Sequence, residues 1–196
     1  MASELSAIVM GGSAGALDAL NQILPALPRE FPIPIALVVH VHPAKPSHLA
    51  RLLGTRCALR VKEAEDKEPL APATLYLAPP NYHLLLEREG CFSLSVDEPV
   101  LFSRPSIDVL FESAADALGS AAAAVLLTGG SEDGARGLAR IKANGGLTMV
   151  QAPSTASVPI MPQAALRLAL VDHILALPDI GPFLAALAEP HAPRGA

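Results

Sequence analysis

The run Ile8-Val9-Met10-Gly11-Gly12-Ser13-Ala14-Gly15-Ala16-Leu17 sets the architecture of this chain. It reads as a short buried strand, a sharp glycine-rich turn with a serine at its apex, and the start of a helix. Gly11-Gly12-Ser13-Ala14-Gly15 has the G-x-S-x-G form of a nucleophile elbow. A strand that turns straight into a helix leaves little room at the turn. Glycines on both sides of the serine permit close packing and unusual backbone angles. The serine hydroxyl is then held out, and the N–H groups that open the helix point at whatever oxygen approaches it. Two phosphate-binding readings fail here. Counting from Gly11, Ser13 stands where the second glycine of G-x-G-x-x-G would fall, and no Gly-Lys-Ser/Thr follows as in a P-loop.

With 196 residues the chain is long enough for one domain with a full core. Aromatic residues are only 4% and Trp is absent, so that core is expected to be built from Ala, Leu, Val and Ile. The net charge of −5 without a basic cluster argues against nucleic acid as a partner. Cys57 and Cys91 have no C-x-x-C spacing and are expected to be reduced thiols. No basic segment precedes the first apolar run, and Glu4 interrupts the N-terminus, so no signal peptide is expected. The longer uncharged windows, such as Ala117 to Ser131, contain Gly, Ser and Thr and are short for a membrane span. A cytoplasmic protein without membrane insertion is the expectation.

Outward from the elbow, Ala16, Leu17, Leu20, Ile23, Leu24 and Leu27 recur at helical spacing, and Pro25 and Pro28 end that helix. Pro34 to His42 is a near-continuous apolar run, the signature of a strand buried on both faces of a parallel sheet. Ser47 is placed to cap a short helix carrying Leu49, Leu52 and Leu53. Residues 57–100 change to short segments around Leu59–Val61, Thr74–Ala78, His83–Leu86 and Phe92–Val96, read as a β-hairpin region at one edge of the sheet. Ser106 caps a predicted helix over 107–118. Ala122 to Thr128 is a further buried strand, running through Gly129-Gly130-Ser131-Glu132-Asp133-Gly134 into a helix that ends near Lys142 and is closed by Gly145-Gly146. Leu147–Gln151 and Val171–Leu175 read as strands, and Pro162–Leu168 and Ile180–Leu187 as helices. The predicted fold is α/β, a doubly wound and mostly parallel sheet flanked by helices.

In such sheets functional groups collect at the carboxyl ends of the strands. Ser13, the pair His40/His42, and Asp133 all fall there. A serine hydroxyl needs a base to take its proton. Histidine suits that task, and a carboxylate on its other ring nitrogen holds the tautomer and stabilises the imidazolium. His40 and His42 lie two apart and share one side of a strand, which also suits a metal pair, but no third ligand motif accompanies them. Neither a metal nor any other cofactor is expected. His48, His83, His173 and His191 are read as surface or structural groups. Asp133 with Gly134 at a helix start is equally good turn and N-terminal chemistry, so the residues alone leave its role open.

Several ordered motifs, spanning residues 6–188, resemble the catalytic domain of the CheB-type chemotaxis receptor protein-glutamate methylesterases. They are the elbow Met10 to Leu20; Val38-Val39-His40-Val41-His42-Pro43, with His40 in the family's histidine position; Tyr76-Leu77-Ala78-Pro79-Pro80; Arg104-Pro105-Ser106-Ile107-Asp108-Val109-Leu110-Phe111; Leu127-Thr128-Gly129-Gly130-Ser131-Glu132-Asp133-Gly134; Gly145-Gly146-Leu147-Thr148; and Met161-Pro162. The resemblance implies hydrolysis of glutamate methyl esters on the cytoplasmic helices of methyl-accepting chemotaxis receptors, and deamidation of glutamines there. It implies Ser13 as nucleophile, His40 as base and Asp133 as the orienting acid. Oxyanion and substrate-binding candidates are Gly12, Ala14, Gly129, Gly130, Ser131 and Arg104, the last as a hold on an acidic receptor helix.

The expected organisation is one catalytic domain over residues 1–190 and a flexible tail at 191–196, without the receiver domain found in full-length family members; a separate receiver protein is a candidate partner. Three positions depart from the family pattern: Gly130 for Met, Ser131 for Gly, and Ile160 for the Gly before Met161-Pro162. These bear on the oxyanion site and the width of the substrate groove. The alternatives are a non-catalytic binding or regulatory module of the same fold, a serine esterase for another ester, and, more distantly, a nucleotide-binding protein.

Overall fold

The computed structural model describes residues 5–40 and 48–188. Seven strands form one all-parallel sheet: β1 (Ala7–Gly12), β2 (Ile35–Val39), β3 (Arg60–Glu63), β4 (Thr74–Leu77), β7 (Ala122–Leu126), β8 (Leu147–Gln151) and β9 (His173–Leu175). Their order is β3-β4-β2-β1-β7-β8-β9. Among the described residues six helices accompany them: α1 (Ala16–Ile23), α2 (Leu49–Gly54), α3 (Ile107–Leu118), α4 (Ala135–Ala143), α5 (Ile160–Leu168) and α6 (Leu177–Leu187). The chain winds from β1 outward through β2, then returns to place β7 on the other side of β1. That reversal is the switch point at which α/β sheets open a crevice beyond their strand ends.

The strand alternation sorts side chains into two cores. Ile8, Met10, Ile35, Leu37, Val125 and Met149 face the layer that includes α1 and α6. Val9, Ala36, Val38, Ala124, Leu126 and Val150 face α3, α4 and α5. Every residue of β1, β2 and β7 is buried, as their continuous apolar runs predict for strands covered on both faces. Small side chains on β7, three alanines in a row, let the helices approach closely.

The 57–100 region divides. Leu59–Val61 and Thr74–Ala78 supply β3 and β4, which extend the parallel sheet to its edge. Only β5 (His83–Leu86) and β6 (Phe92–Ser95) form an antiparallel hairpin, a separate two-stranded sheet packed against α3. Four short segments look alike in sequence because length and alternation do not reveal which strand a segment will pair with. The apolar face predicted to run to Leu27 is buried except at Leu17, which is partly covered, but α1 ends at Ile23 and a single 3-10 turn with Pro25 carries the chain on. β2 ends at Val39, and His42, in the predicted end of that strand, lies outside the described residues, as does Ser47. His48 precedes α2 without a side-chain cap. His191 and the predicted tail also lie outside the described residues.

Candidate active site

Ser13 leaves the carboxyl end of β1 into a turn closed by Ala16 N–H donating to the Ser13 carbonyl at 2.9 Å. Gly15 stands at φ 82°, a left-handed conformation that lets the chain enter α1 within three residues of the strand. The elbow read from the sequence is therefore formed. The backbone N–H of Ser13 is engaged, donating to the Thr128 carbonyl at 2.9 Å. Among the described residues the N–H of Ala14 has no partner, and Ala14 is exposed.

His40 enters through strand register. Gly12 pairs with Val39 across the parallel β1–β2 ladder, so Ser13 and His40 leave adjacent strands at the same level. The His40 N–H donates to the Gly12 carbonyl at 3.2 Å. The ring is largely covered, with 15% of the side chain exposed. Its Nε2 lies 2.7 Å from Asp133 Oδ2. With the carboxylate on Nε2, the nitrogen left for a second partner is Nδ1.

Asp133 is fully buried at the amino end of α4. Besides His40, its Oδ2 accepts the Ile107 N–H at 2.8 Å. Its Oδ1 accepts the Ser106 hydroxyl at 2.8 Å and the Asp108 N–H at 2.9 Å. Burial pushes this carboxyl up. The bonds from His40, the Asp108 and Ile107 N–H groups and Ser106 outweigh that and hold it below the usual carboxylate range. Asp133 is thus kept ionised and aimed, as an orienting acid must be.

Ser106 and Asp108 were visible in the sequence only as a helix start and as part of a family motif; their role at the site comes from the fold. Ser106 caps α3 by accepting the Val109 N–H at 3.5 Å, while its hydroxyl donates to Asp133. Asp108 is fully buried, and its Oδ1 accepts Gly134 N–H at 2.9 Å and Gly137 N–H at 2.8 Å, with Arg136 Nε on Oδ2 at 3.1 Å. Burial pushes its carboxyl up, aided by the Asp133 charge and opposed by Gly137 and Arg136. His83 is buried as well: Nδ1 accepts the Ser106 N–H at 3.2 Å, which leaves Nε2 to donate to the Glu98 carbonyl at 3.2 Å. The structural reading of His83 therefore takes a definite form. It steadies the residue that steadies Asp133. His173 packs against Phe183 with the rings tilted by 52° and their centroids 4.5 Å apart.

The oxyanion and substrate candidates separate. The N–H of Gly129 donates to the Val158 carbonyl at 3.0 Å, so it is not free for an oxyanion. Gly129 serves space instead: a Cβ there would lie 2.5 Å from Met161 Cε and 3.0 Å from Ser13 Cβ. Gly130 is exposed, with its N–H unpartnered among the described residues. A Cβ at Gly130 would make only an ordinary contact, 3.9 Å from Val158 Cγ1, so crowding does not require glycine there. Ser131 Oγ accepts the Asp133 N–H at 3.3 Å. Gly12 makes room for the turn, since a Cβ there would stand 2.8 Å from Ala16 Cβ. Arg104 does not reach out for a partner helix. Its guanidinium donates to Asn81 Oδ1 at 2.8 and 3.2 Å and to the Val96 and Asp97 carbonyls at 2.6 and 3.0 Å. It ties the β4–β5 connection to the β6–α3 connection beside His40. Ile160 points outward, 45% exposed, in the first turn of α5.

A parallel α/β sheet with a serine elbow after one central strand and a buried carboxylate–histidine pair after its two neighbours is the framework on which serine hydrolases are built. The chain belongs to the CheB methylesterase family, whose model matches residues 8–184. It is 48% identical over 174 residues to a Leptospira interrogans protein named provisionally as a protein-glutamate methylesterase/protein-glutamine glutaminase, covering 89% of this chain and 90% of that one. It is 42% identical over 183 residues to protein-glutamate methylesterase/protein-glutamine glutaminase 5 of Anaeromyxobacter dehalogenans, covering 92% of this chain and 50% of that protein. The crystal structure of the Thermotoga maritima CheB methylesterase catalytic domain superposes with a TM-score of 0.89 at 34% identity, over 94% of this chain and all of that one. Among the described residues, no helix is long and apolar enough to cross a membrane.

Proposed function

We propose that this protein is a serine hydrolase that removes methyl groups from glutamate methyl esters on the cytoplasmic segments of chemotaxis-type receptors, and deamidates glutamines at such positions. The observation that carries this reading is the 2.7 Å pair of His40 with the buried Asp133, set beside the Ser13 elbow in a chain of this family.

Ser13 Oγ attacks the ester carbonyl as His40 Nδ1 takes its proton. Asp133 on Nε2 stabilises the imidazolium that forms. The unpartnered N–H groups of Ala14 and Gly130 are the donors assigned to the oxygen that becomes negative. The tetrahedral adduct collapses, methanol leaves with the proton from His40, and a glutamyl ester of Ser13 remains. Water then attacks that ester with His40 again as base, releasing glutamate and free Ser13. With a glutamine substrate the leaving group is ammonia.

The test is methanol release from a methylated receptor cytoplasmic fragment, with wild type and Ser13→Ala side by side. Release by wild type alone is expected. Release undiminished in Ser13→Ala, or no release by wild type, overturns the reading.

A further inference from the structure

The chain has five Phe and two Tyr. Phe31, Phe92, Phe111 and Tyr76 are spent on the core. Phe102 is wholly exposed, and its neighbour Leu101 is half exposed. The two form the tip of a tight turn. Val100 and Ser103 exchange backbone hydrogen bonds across it at 3.1 and 2.8 Å. Leu101 stands at φ 48° and Phe102 at φ 64°. Two successive left-handed residues make the type I′ pattern, which Asn and Gly favour and bulky side chains resist. Leu101 and Phe102 thus adopt an unfavourable backbone in order to display apolar side chains to solvent, a combination that serves the core in no way. Strain held without a packing return marks a functional contact.

Its position says what the contact is for. Phe102 and Ser103, with Pro99, Asn81, Arg104 and Pro105, wall the cleft of about 120 Å³ that contains His40. On its other side the same turn borders a larger cleft, about 350 Å³, lined by Val100, Leu101 and Leu168 together with the charged Glu132, Arg136 and Arg167. The base of the turn is held firm by the Arg104 clamp on Asn81, Val96 and Asp97. Leu101 and Phe102 thus present apolar side chains on the turn between the two clefts, one of which holds the His40 ring.

We infer that Leu101 and Phe102 determine specificity for a polypeptide substrate, gripping apolar side chains that flank the esterified glutamate. The inference rests on the methylesterase reading and adds to it the part of the protein that distinguishes a protein-borne ester from a free one. A small ester seated in the His40 cleft meets the turn only at the Phe102 wall, whereas a polypeptide is long enough to cross the tip and engage Leu101 on its far side as well.

The test replaces the tip by the residues a type I′ turn prefers, Leu101→Asn with Phe102→Gly. The readout is the ratio of kcat/KM for methylated receptor fragment to kcat/KM for p-nitrophenyl acetate. The ratio is expected to fall about tenfold or more, mostly through KM on the polypeptide, as when a buried aromatic contact is lost. A Tm no lower than wild type is expected with it. A ratio that does not change, whether both activities persist or both fall together, overturns the inference. Phe102→Ser alone gives the same readout with Leu101 kept. Failure of the underlying reading shows separately, as wild type that turns over p-nitrophenyl acetate but releases no methanol from the fragment.

Discussion

Asp133 and Asp108 cap each other's helices. Asp133, at the entrance to α4, accepts the Ile107 and Asp108 N–H groups that open α3. Asp108, in the first turn of α3, accepts the Gly134 and Gly137 N–H groups that open α4. Both carboxylates are fully buried. Two helix amino ends, each carrying positive partial charge, hold two negative groups close together. The arrangement ties the position of Asp133, and through it the His40 ring, to the packing of α3 on α4.

Asp108→Ala removes the acceptor for two buried N–H groups and leaves Arg136 with Glu112, at 3.5 Å, in place of the buried carboxylate. A loss of about 2–4 kcal/mol in urea-induced unfolding is expected. Turnover by the remaining folded protein falls as well, because Asp133 loses its support. Stability within about 0.5 kcal/mol of wild type would contradict the mutual cap.

The two carboxylates have opposite pH signatures. Asp133 is held below the usual carboxylate range by its donors despite burial. Its stabilising contribution is complete above the unfolded value and is lost as pH falls through the lower, folded one. The stability gap between wild type and Asp133→Asn therefore stays constant from neutral pH down to about pH 4 and closes below it. Asp108 is pushed up by burial and the Asp133 charge. Its ionisation opposes folding, so wild type gains on Asp108→Asn as pH falls toward about 4. Urea denaturation at a series of pH values reads both slopes; slopes of the same sign would refute the assignment.

Asp133→Asn is expected to fold and to lose roughly a thousandfold or more in kcat, because the amide does not hold the His40 tautomer that a carboxylate holds. Undiminished kcat on p-nitrophenyl acetate would remove Asp133 from the mechanism.

Ser106→Ala deletes a donor to Asp133 and the cap of α3 in one step. About 1–2 kcal/mol of stability is expected to be lost, with kcat reduced and KM nearly unchanged. Ser106→Thr keeps the hydroxyl and is expected to restore much of kcat. A Thr variant no better than Ala would show that the hydroxyl is not what matters.

Gly129→Ala places a methyl against Met161 and Ser13. Turnover is expected to drop because the serine is pushed out of line. Adding Met161→Leu, which lacks the ε carbon nearest that methyl, is expected to recover part of the activity. Circular dichroism on both variants checks that the fold persists, and a double variant no better than the single one would place the strain elsewhere.

Local pattern alone determined a good deal of this protein. The buried runs of β1, β2 and β7, the elbow at Ser13, the Ser106 cap and the α/β class follow from periodicity, glycine placement and capping chemistry, all of which act over a few residues. The strand ends also pointed to Ser13, the pair His40/His42 and Asp133, since a parallel sheet gathers its loops at one edge, and the resemblance to the family picked out His40. Pairing and exposure were decided by the tertiary structure. β3 and β4 join the main sheet while β5 and β6 stand apart, because strand partners lie far along the chain. The Gly129 N–H is consumed by Val158, 29 residues away in sequence. Arg104 folds back onto Asn81 and two carbonyls instead of reaching a partner. Asp108, His83 and the strained Leu101–Phe102 tip gain their meaning only from neighbours that burial and the α3–α4 contact bring to them. A hydrogen-bond partner is a property of assembled space, and a short stretch of sequence does not contain it.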